Sequence, residues 1–551
     1  LAVIWLFGNN WVSFWDQDEA AYAGFAKTMI ETGNWLQPDF MWSEVHRKPP
    51  LHFWNIAISY KIFGINEFAV RFPSVVFILG TIALIYLVGK DFFGEKMAFY
   101  AALILSTSIL VPALAKVSVT DATLLFFKTL CAFSILKVLV FRNKWWVLVF
   151  WIGFALALLT KGPPIIIFTG FFVLILLLFH PNRKNFILFH PWFFMPLAFL
   201  PLYIWGYWCM QTPEGKVFIT WMIDWYILKR VGGSVFGQTG PPGTHLIGLL
   251  VFFIPYFVFF PKAIAQAVKN LFNKEKNMLF IASAWFVSAW FLYEITPSKL
   301  PAYVIAAHVP LSIFIAYLLA NSKVNKGMAI AHFCINSLIY LVFILAPIIL
   351  QFPLKNILIF CSLGLIMSVF NIFTLKNYAN EKFRYYLFTQ NIVFQVLIWC
   401  FLLPLSDDIK NSSLRIAQFV EKNAEKNAEI TIANSHARPP SLPFYLKMRF
   451  KNVNENYDFE SLSTAYENSK NHVFILNKGL KEKLTVIASA EMEGRETGMP
   501  GERRAAAYIE QQFKKIGLQP GNGNSYQMTY PVYRDEVSDK SLRINGRSFE
   551  W

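Results

Sequence analysis

Long apolar runs recur along the first 405 residues, near 68–89, 97–114, 122–141, 145–160, 163–180, 190–208, 245–261, 278–294, 301–320, 327–350, 354–374 and 384–404. An α-helix rises about 1.5 Å per residue, so a run of about 20 residues crosses the hydrocarbon layer of a bilayer. Leu1 to Gly8 is apolar but too short to cross. It reads as the end of a truncated first helix, with a cleaved signal remnant as the alternative. The pattern therefore predicts an all-α polytopic membrane protein of about 13 spans.

The polar positions between the runs are not distributed evenly. Lys90 and Lys96; Lys137, Arg142 and Lys144; Arg183 and Lys184; Lys262, Lys269, Lys274 and Lys276; Lys323 and Lys326; and Lys376, Lys382 and Arg384 fall in alternate loops. Loops rich in Lys and Arg stay on the cytoplasmic side. The opposite, outer side then receives two long loops, 9–67 and 209–244, and everything after Leu405. Both loops are rich in Trp, Tyr and Phe, as segments lying at the headgroup level are.

Composition sharpens this picture. With 56% apolar, 17% aromatic and 15% charged residues, a chain of 551 residues has more apolar surface than a water-soluble core can hide, and the excess must face lipid. The formal charge of +16 is spread over short loop clusters and forms no continuous basic face, which argues against a nucleic-acid partner. The five cysteines show no Cys-x-x-Cys or Cys/His ligand spacing, so neither disulfides nor structural zinc is expected.

Several charged groups on the outer side need a reason to be there. Trp15-Asp16-Gln17-Asp18-Glu19 leads into Ala20-Ala21-Tyr22-Ala23, the start of an interfacial helix whose first turn holds the acids. Carboxylates there serve as helix caps or as chemistry. His46-Arg47-Lys48-Pro49-Pro50-Leu51-His52 sets two cations before a rigid Pro-Pro, a phosphate clamp or a pair of side chains reaching for lipid headgroups. Asp121 stands at the outer junction of two spans, where an acid is costly unless paired or used, and Lys116 is the neutralising candidate in sequence. Lys161 and Lys299 are outer-side lysines among helix breakers and are expected to line a polar cavity. His308 reads as a packed core histidine.

These pieces, in order, resemble the membrane-embedded GT-C glycosyltransferases, in particular the family of lipid A aminoarabinose transferase and the dolichyl-phosphate-mannose protein mannosyltransferases. The resemblance rests on Asp18-Glu19 with Tyr22, Lys48-Pro49-Pro50-Leu51, Arg71-x-Pro73, Thr120-Asp121, Leu159-Thr160-Lys161-Gly162-Pro163 and Ser298-Lys299-Leu300-Pro301-x-Tyr303. It runs from about residue 9 to residue 479 and includes Pro440-Ser441-Leu442-Pro443-Phe444-Tyr445-Leu446.

The resemblance implies a sugar donor on a polyprenyl phosphate. Transfer would go to a lipid, glycan or protein acceptor with inversion, on the periplasmic face of a bacterial inner membrane. It casts Asp18, Glu19 and Asp121 as catalytic carboxylates and Arg47, Lys48 and Arg71 as donor-phosphate ligands. Tyr22, Lys161, Lys299 and Tyr303 would line the cavity. The same three carboxylates are the candidate ligands of a divalent metal, and oxygen ligands select a hard cation. Where the family often carries an acid before Lys-Pro this chain has Arg47, and where it often carries Arg before Tyr it has Ala21; Glu44, His46 and His52 are the residues placed to compensate. A transporter or flippase of lipid-linked glycans is the competing class, but such proteins tend to show internal repeats and polar groups at the midplane, and here the acids collect at one interface.

Residues 406–479 are polar, with a helical stretch Leu414 to Val420 and two strand-like runs, Glu429 to Ala433 and His472 to Leu476, which predict a small periplasmic α/β domain beyond the transmembrane domain 1–405. Residues 480–551 resemble the start of zinc-dependent aminopeptidases, on Leu484 to Ser489 followed by Glu491 to Gly498. This stretch contains no histidine, so it is not expected to hold that family's two zinc ions.

Overall fold

A computed structural model describes residues 1–224 apart from 16 and 42, then 239–271, 278–321, 324–405, 413–423 and 440–446, and the short elements 429–433, 450–451, 472–476, 500–515, 541–544 and 547–550. The chain divides into two compact units. One comprises Leu1–Lys422 with Pro439–Lys447, the other Asn423–Arg438 with Met448–Trp551.

The first unit is helical. Among the described residues, seven helices are long and apolar enough to cross a membrane: Glu67–Phe93, Thr120–Phe141, Pro191–Cys209, Pro301–Asn321, Lys326–Ile349, Leu354–Lys376 and Lys382–Leu405. Trp145–Lys161, Pro163–Phe179 and Leu279–Ile295 are shorter apolar helices. Local chemistry sets several ends. Asn66 accepts the Ala69 amide hydrogen at 2.9 Å and so starts Glu67–Leu87, and Asn325 caps Met328 at 2.8 Å at the start of Lys326–Ile349. Gly162, at φ +72°, ends Trp145–Lys161 and turns the chain into Pro163–Phe179, whose first residue needs no amide donor.

Two of the apolar runs are broken in the structure. The run 97–114 splits into Glu95–Thr107 and Leu110–Ala113, with Ser108 extended between them. The run 245–261 splits into Thr244–Phe252 and Phe260–Leu271 around Pro255, which offers no backbone donor to continue a helix. A third run, 301–320, opens as a tight 3-10 helix, Pro301–Ala307, before His308–Asn321.

The bundle's aromatic core centres on Trp285, which meets Phe133 edge-on at 5.5 Å and packs beside Phe168 and Phe172, all fully buried. At one end, the first long loop folds into helices Asp18–Thr32 and Leu51–Phe63. Gly24 permits this packing, because a Cβ there would sit 2.1 Å from the Phe40 ring. Residues 440–446 join the same end: Phe444 meets Phe14 edge-on at 4.8 Å, and the Tyr445 hydroxyl accepts the Phe14 amide hydrogen at 2.9 Å.

In the second unit, Glu429–Ala433 is the middle strand of a three-stranded parallel sheet between Phe450–Lys451 and His472–Leu476, with Glu429 opposite His472 and Ala433 opposite Leu476. Helix Pro500–Lys515 and the antiparallel pair Ser541–Ile544 and Arg547–Glu550 follow. The remainder of 480–551, including the aminopeptidase-like 484–498, lies outside the described residues.

Candidate active site

Asp18 and Glu19 sit in the first turn of helix Asp18–Thr32, where the positive end of the helix dipole favours them. They face different ways. Asp18 Oδ1 receives the Tyr22 hydroxyl hydrogen at 3.0 Å and lies 2.8 Å from His46 Nδ1 and 3.5 Å from Lys48 Nζ. Lys48 also donates to the Tyr22 oxygen and lies over the Tyr22 ring, 4.7 Å from its centre. Burial pushes the Asp18 carboxyl up, but Lys48, His46 and Tyr22 together outweigh it and hold the group well below the usual carboxylate range. Its side chain remains half exposed, while His46 and Lys48 are largely buried.

Glu19 turns inward and is fully buried against Arg71, with Nε–Oε1 2.8 Å and Nη2–Oε2 3.0 Å. Arg71 spends its other donors on the Asn9, Val12 and Ser13 carbonyls, at 2.6, 2.8 and 3.1 Å. All five guanidinium hydrogens are thereby used inside the protein, and none is left for a donor phosphate. Glu19 also accepts the Ser118 amide hydrogen at 2.8 Å, which ties helix Asp18–Thr32 to the turn that starts Thr120–Phe141.

Asp121, in the first turn of that helix, is gripped by Lys161 at 2.7 and 2.9 Å. Lys116 is engaged elsewhere, donating to the Ile4 and Phe7 carbonyls at 2.8 and 2.7 Å and to Asn9 at 3.1 Å, so it closes the end of the first helix instead of neutralising Asp121.

His52 lies between the two carboxylate centres. Its ring meets Tyr22 edge-on at 5.7 Å, while Nδ1 and Nε2 lie 3.1 and 3.2 Å from the Thr123 and Ser118 hydroxyls. Burial first, then Lys48 and Lys161, pushes this imidazole down to about 3. His52 thus touches Tyr22, the partner of Asp18 and Lys48, on one side and Thr123, two residues after Asp121, on the other, and so links the two ion pairs.

The remaining candidates stand apart from those pairs. Arg47 pairs with Asp39 and lies over the Phe218 ring, its guanidinium carbon 5.7 Å from the ring centre. Lys299 is buried against Glu294, donating to the Tyr293 carbonyl at 3.2 Å and to the Glu294 carbonyl, with the carboxylate at 3.7 Å. Glu294 in turn accepts the Gly243, His245 and Leu246 amide hydrogens at 2.8, 3.3 and 3.0 Å and caps helix Thr244–Phe252. Tyr303 lies beside Tyr293, ring centres 5.6 Å apart.

The three acids occupy three separate ion pairs, and among the described residues no three His, Cys, Asp or Glu side chains converge as a ligand set. As arranged, they do not fit a divalent cation, and the chemistry below uses none. Asp16 lies outside the described residues.

The helical bundle has counterparts of known structure. Superposed on ArnT from Cupriavidus metallidurans bound to undecaprenyl phosphate, the chain gives a TM-score of 0.68 over 89% of its own length and 94% of that protein's, at 17% identity. The chain thus shares the fold of that protein. The model of the dolichyl-phosphate-mannose-protein mannosyltransferase family matches residues 47–208, the stretch that holds Lys48, Arg71, Asp121 and Lys161. An undecaprenyl phosphate-alpha-4-amino-4-deoxy-L-arabinose arabinosyl transferase of Proteus mirabilis is 27% identical over 321 residues, covering 57% of the chain and 56% of that relative. An Aquifex aeolicus protein without an assigned activity is 26% identical over 59% of the chain and 63% of its own length. The matches to these curated relatives thus span less than two thirds of the relatives' own length.

His46, which the resemblance offered only as one of three residues placed to compensate for the missing acid, is a partner of Asp18; its position two residues before Lys48 is the signal that could have singled it out. His52 makes the site sensitive to pH. It stays neutral in the folded protein down to about 3, whereas the unfolded chain takes up a proton below the ordinary value of 6.5. Its contribution is therefore complete above 6.5 and is lost progressively as pH falls towards 3. Between pH 7.5 and pH 5 this group alone costs about 2 kcal/mol. The melting temperature in detergent is expected to fall over that interval, and by clearly less in His52→Gln; an equal fall in both would remove His52 as the cause.

Proposed function

We propose that the chain moves a sugar from a polyprenyl-phosphate donor to a lipid, glycan or protein acceptor, with inversion, on the periplasmic face of a bacterial inner membrane. In this reading it crosses the membrane about 13 times, and residues 406–479 form a small periplasmic α/β domain. The observation that carries it is the meeting, around His52 at one end of the bundle, of Lys48 on its Pro-Pro hinge with the two carboxylates Asp18 and Asp121.

In such a transfer an acceptor oxygen attacks the anomeric carbon, its bond forms as the bond to the lipid phosphate breaks, and the phosphate leaves with the electron pair. Lys48 suits the charge that develops on that phosphate, since it is a preorganised ammonium with little exposed surface. Asp18, held far below the usual range, is a poor proton acceptor and a good orienting anion: it fixes Lys48, Tyr22 and His46. Asp121 is then the group that orients or deprotonates the acceptor, with Lys161 steadying it. Glu19 and Arg71 brace the loop that carries Asp18.

The test is transfer of radiolabelled sugar from polyprenyl-phosphate donors by the purified protein in detergent. Asp121→Asn is expected to fall by about a hundredfold or more with folding unchanged. Equal rates in Asp121→Asn and the parent would remove Asp121 from the chemistry. No turnover by the parent with any donor, together with donor-dependent movement of lipid across vesicles, would replace the transferase reading by a transporter.

A further inference from the structure

Lys128 has no place in the arrangement above. It follows Asp121 by seven residues in the helix Thr120–Phe141, which puts it on the same helix face, two turns or about 10 Å deeper in the span. A lysine at that depth is costly and is kept where it is paired or used. Lys128 is only 2% exposed, yet among the described residues it makes no ion pair and no hydrogen bond. What holds it are two aromatic faces, Phe168 and Tyr293, with Nζ 5.6 and 5.7 Å from their ring centres. The charged groups acting on it are Lys161 and Asp121.

Two features turn this into a site. Asp121 is already neutralised by Lys161, so the trio of Asp121, Lys161 and Lys128 carries one uncompensated positive charge when Lys128 is protonated, and an enclosed charge calls for a counter-ion. The hydroxyl of Tyr293, the ring over which Lys128 lies, is buried and has no hydrogen-bond partner among the described residues. A buried ammonium and an unused phenol hydrogen on the ring it lies over offer two donors to one anion. Tyr293 continues to Tyr303, whose ring centre lies 5.6 Å away and which belongs to the Ser298–Tyr303 motif.

We propose that Lys128 and Tyr293 form a second anion subsite, below Asp121 and separate from Lys48, that takes a phosphate group of a substrate. This rests on the transferase reading for the identity of the substrate, but not for the existence of the site. The phosphate belongs either to the lipid carrier or to the acceptor.

Binding separates these cases without any need for turnover. The full chain in nanodiscs is titrated with inorganic phosphate, farnesyl phosphate and glucosamine 1-phosphate, with Lys128→Met, Lys128→Arg, Tyr293→Phe and Lys48→Met alongside. Lys128→Met is expected to weaken phosphate binding by about ten- to a hundredfold, Tyr293→Phe by less, and Lys128→Arg to restore most of it. Loss extending to farnesyl phosphate assigns the group to the carrier; loss confined to glucosamine 1-phosphate and phosphate assigns it to the acceptor. Unchanged binding of all three probes by Lys128→Met overturns the subsite, and a drop at Lys48→Met alone does so while leaving the proposed donor site intact. Should Lys128→Met not fold, Tyr293→Phe carries the decision: parent-like binding of all three probes by that variant overturns the proposal.

Discussion

Replacing Lys48 by Met is expected to lower sugar transfer by about a hundred- to a thousandfold while leaving the protein folded, the cost typical of removing one preorganised group that meets developing charge. The position is preorganised by its neighbours. Pro49 and Pro50 stiffen the segment, helix Leu51–Phe63 starts immediately after them, and the Tyr22 hydroxyl and Asp18 hold the ammonium from the side. A mobile surface lysine would lose most of its effect to solvent and rotamer entropy; this one is nine-tenths buried. Because the phosphate leaves only as the sugar bond breaks, the loss should fall mainly on kcat, with KM for the donor changing less. Lys48→Arg keeps the charge but places a wider, planar group in a pocket shaped by the Tyr22 ring, so partial recovery is expected. A Lys48→Met protein with kcat unchanged and KM raised would mean that Lys48 binds the donor and does nothing for the transition state.

Much of this arrangement was legible along the chain, because the signals that carry it are local. Apolar runs, the acids in a first helical turn and the Pro-Pro break each depend on residues close in sequence, and, among the described residues, seven long apolar helices, the first turn at Asp18 and the turn before Leu51 lie where those signals place them. Through-space pairing has no such local trace. Asp121 has Lys116 five positions before it, but its partner is Lys161, forty positions on, which the turn at Gly162 and the packing of Trp145–Lys161 against Thr120–Phe141 bring alongside. Arg71 looked like a phosphate ligand because it is an arginine at the entry to a span; only the fold shows that Glu19, fifty-two positions away, and three carbonyls consume every donor it has. The break at Ser108 was hidden for a related reason, since hydropathy averages over a run and does not register a short departure from the helix, whereas Pro255 marks the other break in the sequence itself.

Arg71→Ala should therefore act on folding and not on donor affinity. It leaves Glu19, fully buried, as an uncompensated charge, and it strands the Asn9, Val12 and Ser13 carbonyls at the same time. Removing one member of a buried ion pair costs about 3–5 kcal/mol, a large part of the stability of an ordinary domain. Lysine is not expected to rescue it, because an ammonium offers three hydrogens from one point where five bonds in a planar fork are required. The melting temperature in detergent should drop sharply in Arg71→Ala and in Arg71→Lys, with KM for the donor unchanged in whatever protein remains folded. Combining Arg71→Met with Glu19→Gln should cost less than the sum of the two single changes, since the second substitution removes the charge that the first one orphans. The opposite pattern, a stable Arg71→Ala protein whose KM for the donor rises steeply, would show that the guanidinium leaves Glu19 to meet the phosphate, and that the closed pair is only one of two states of the site.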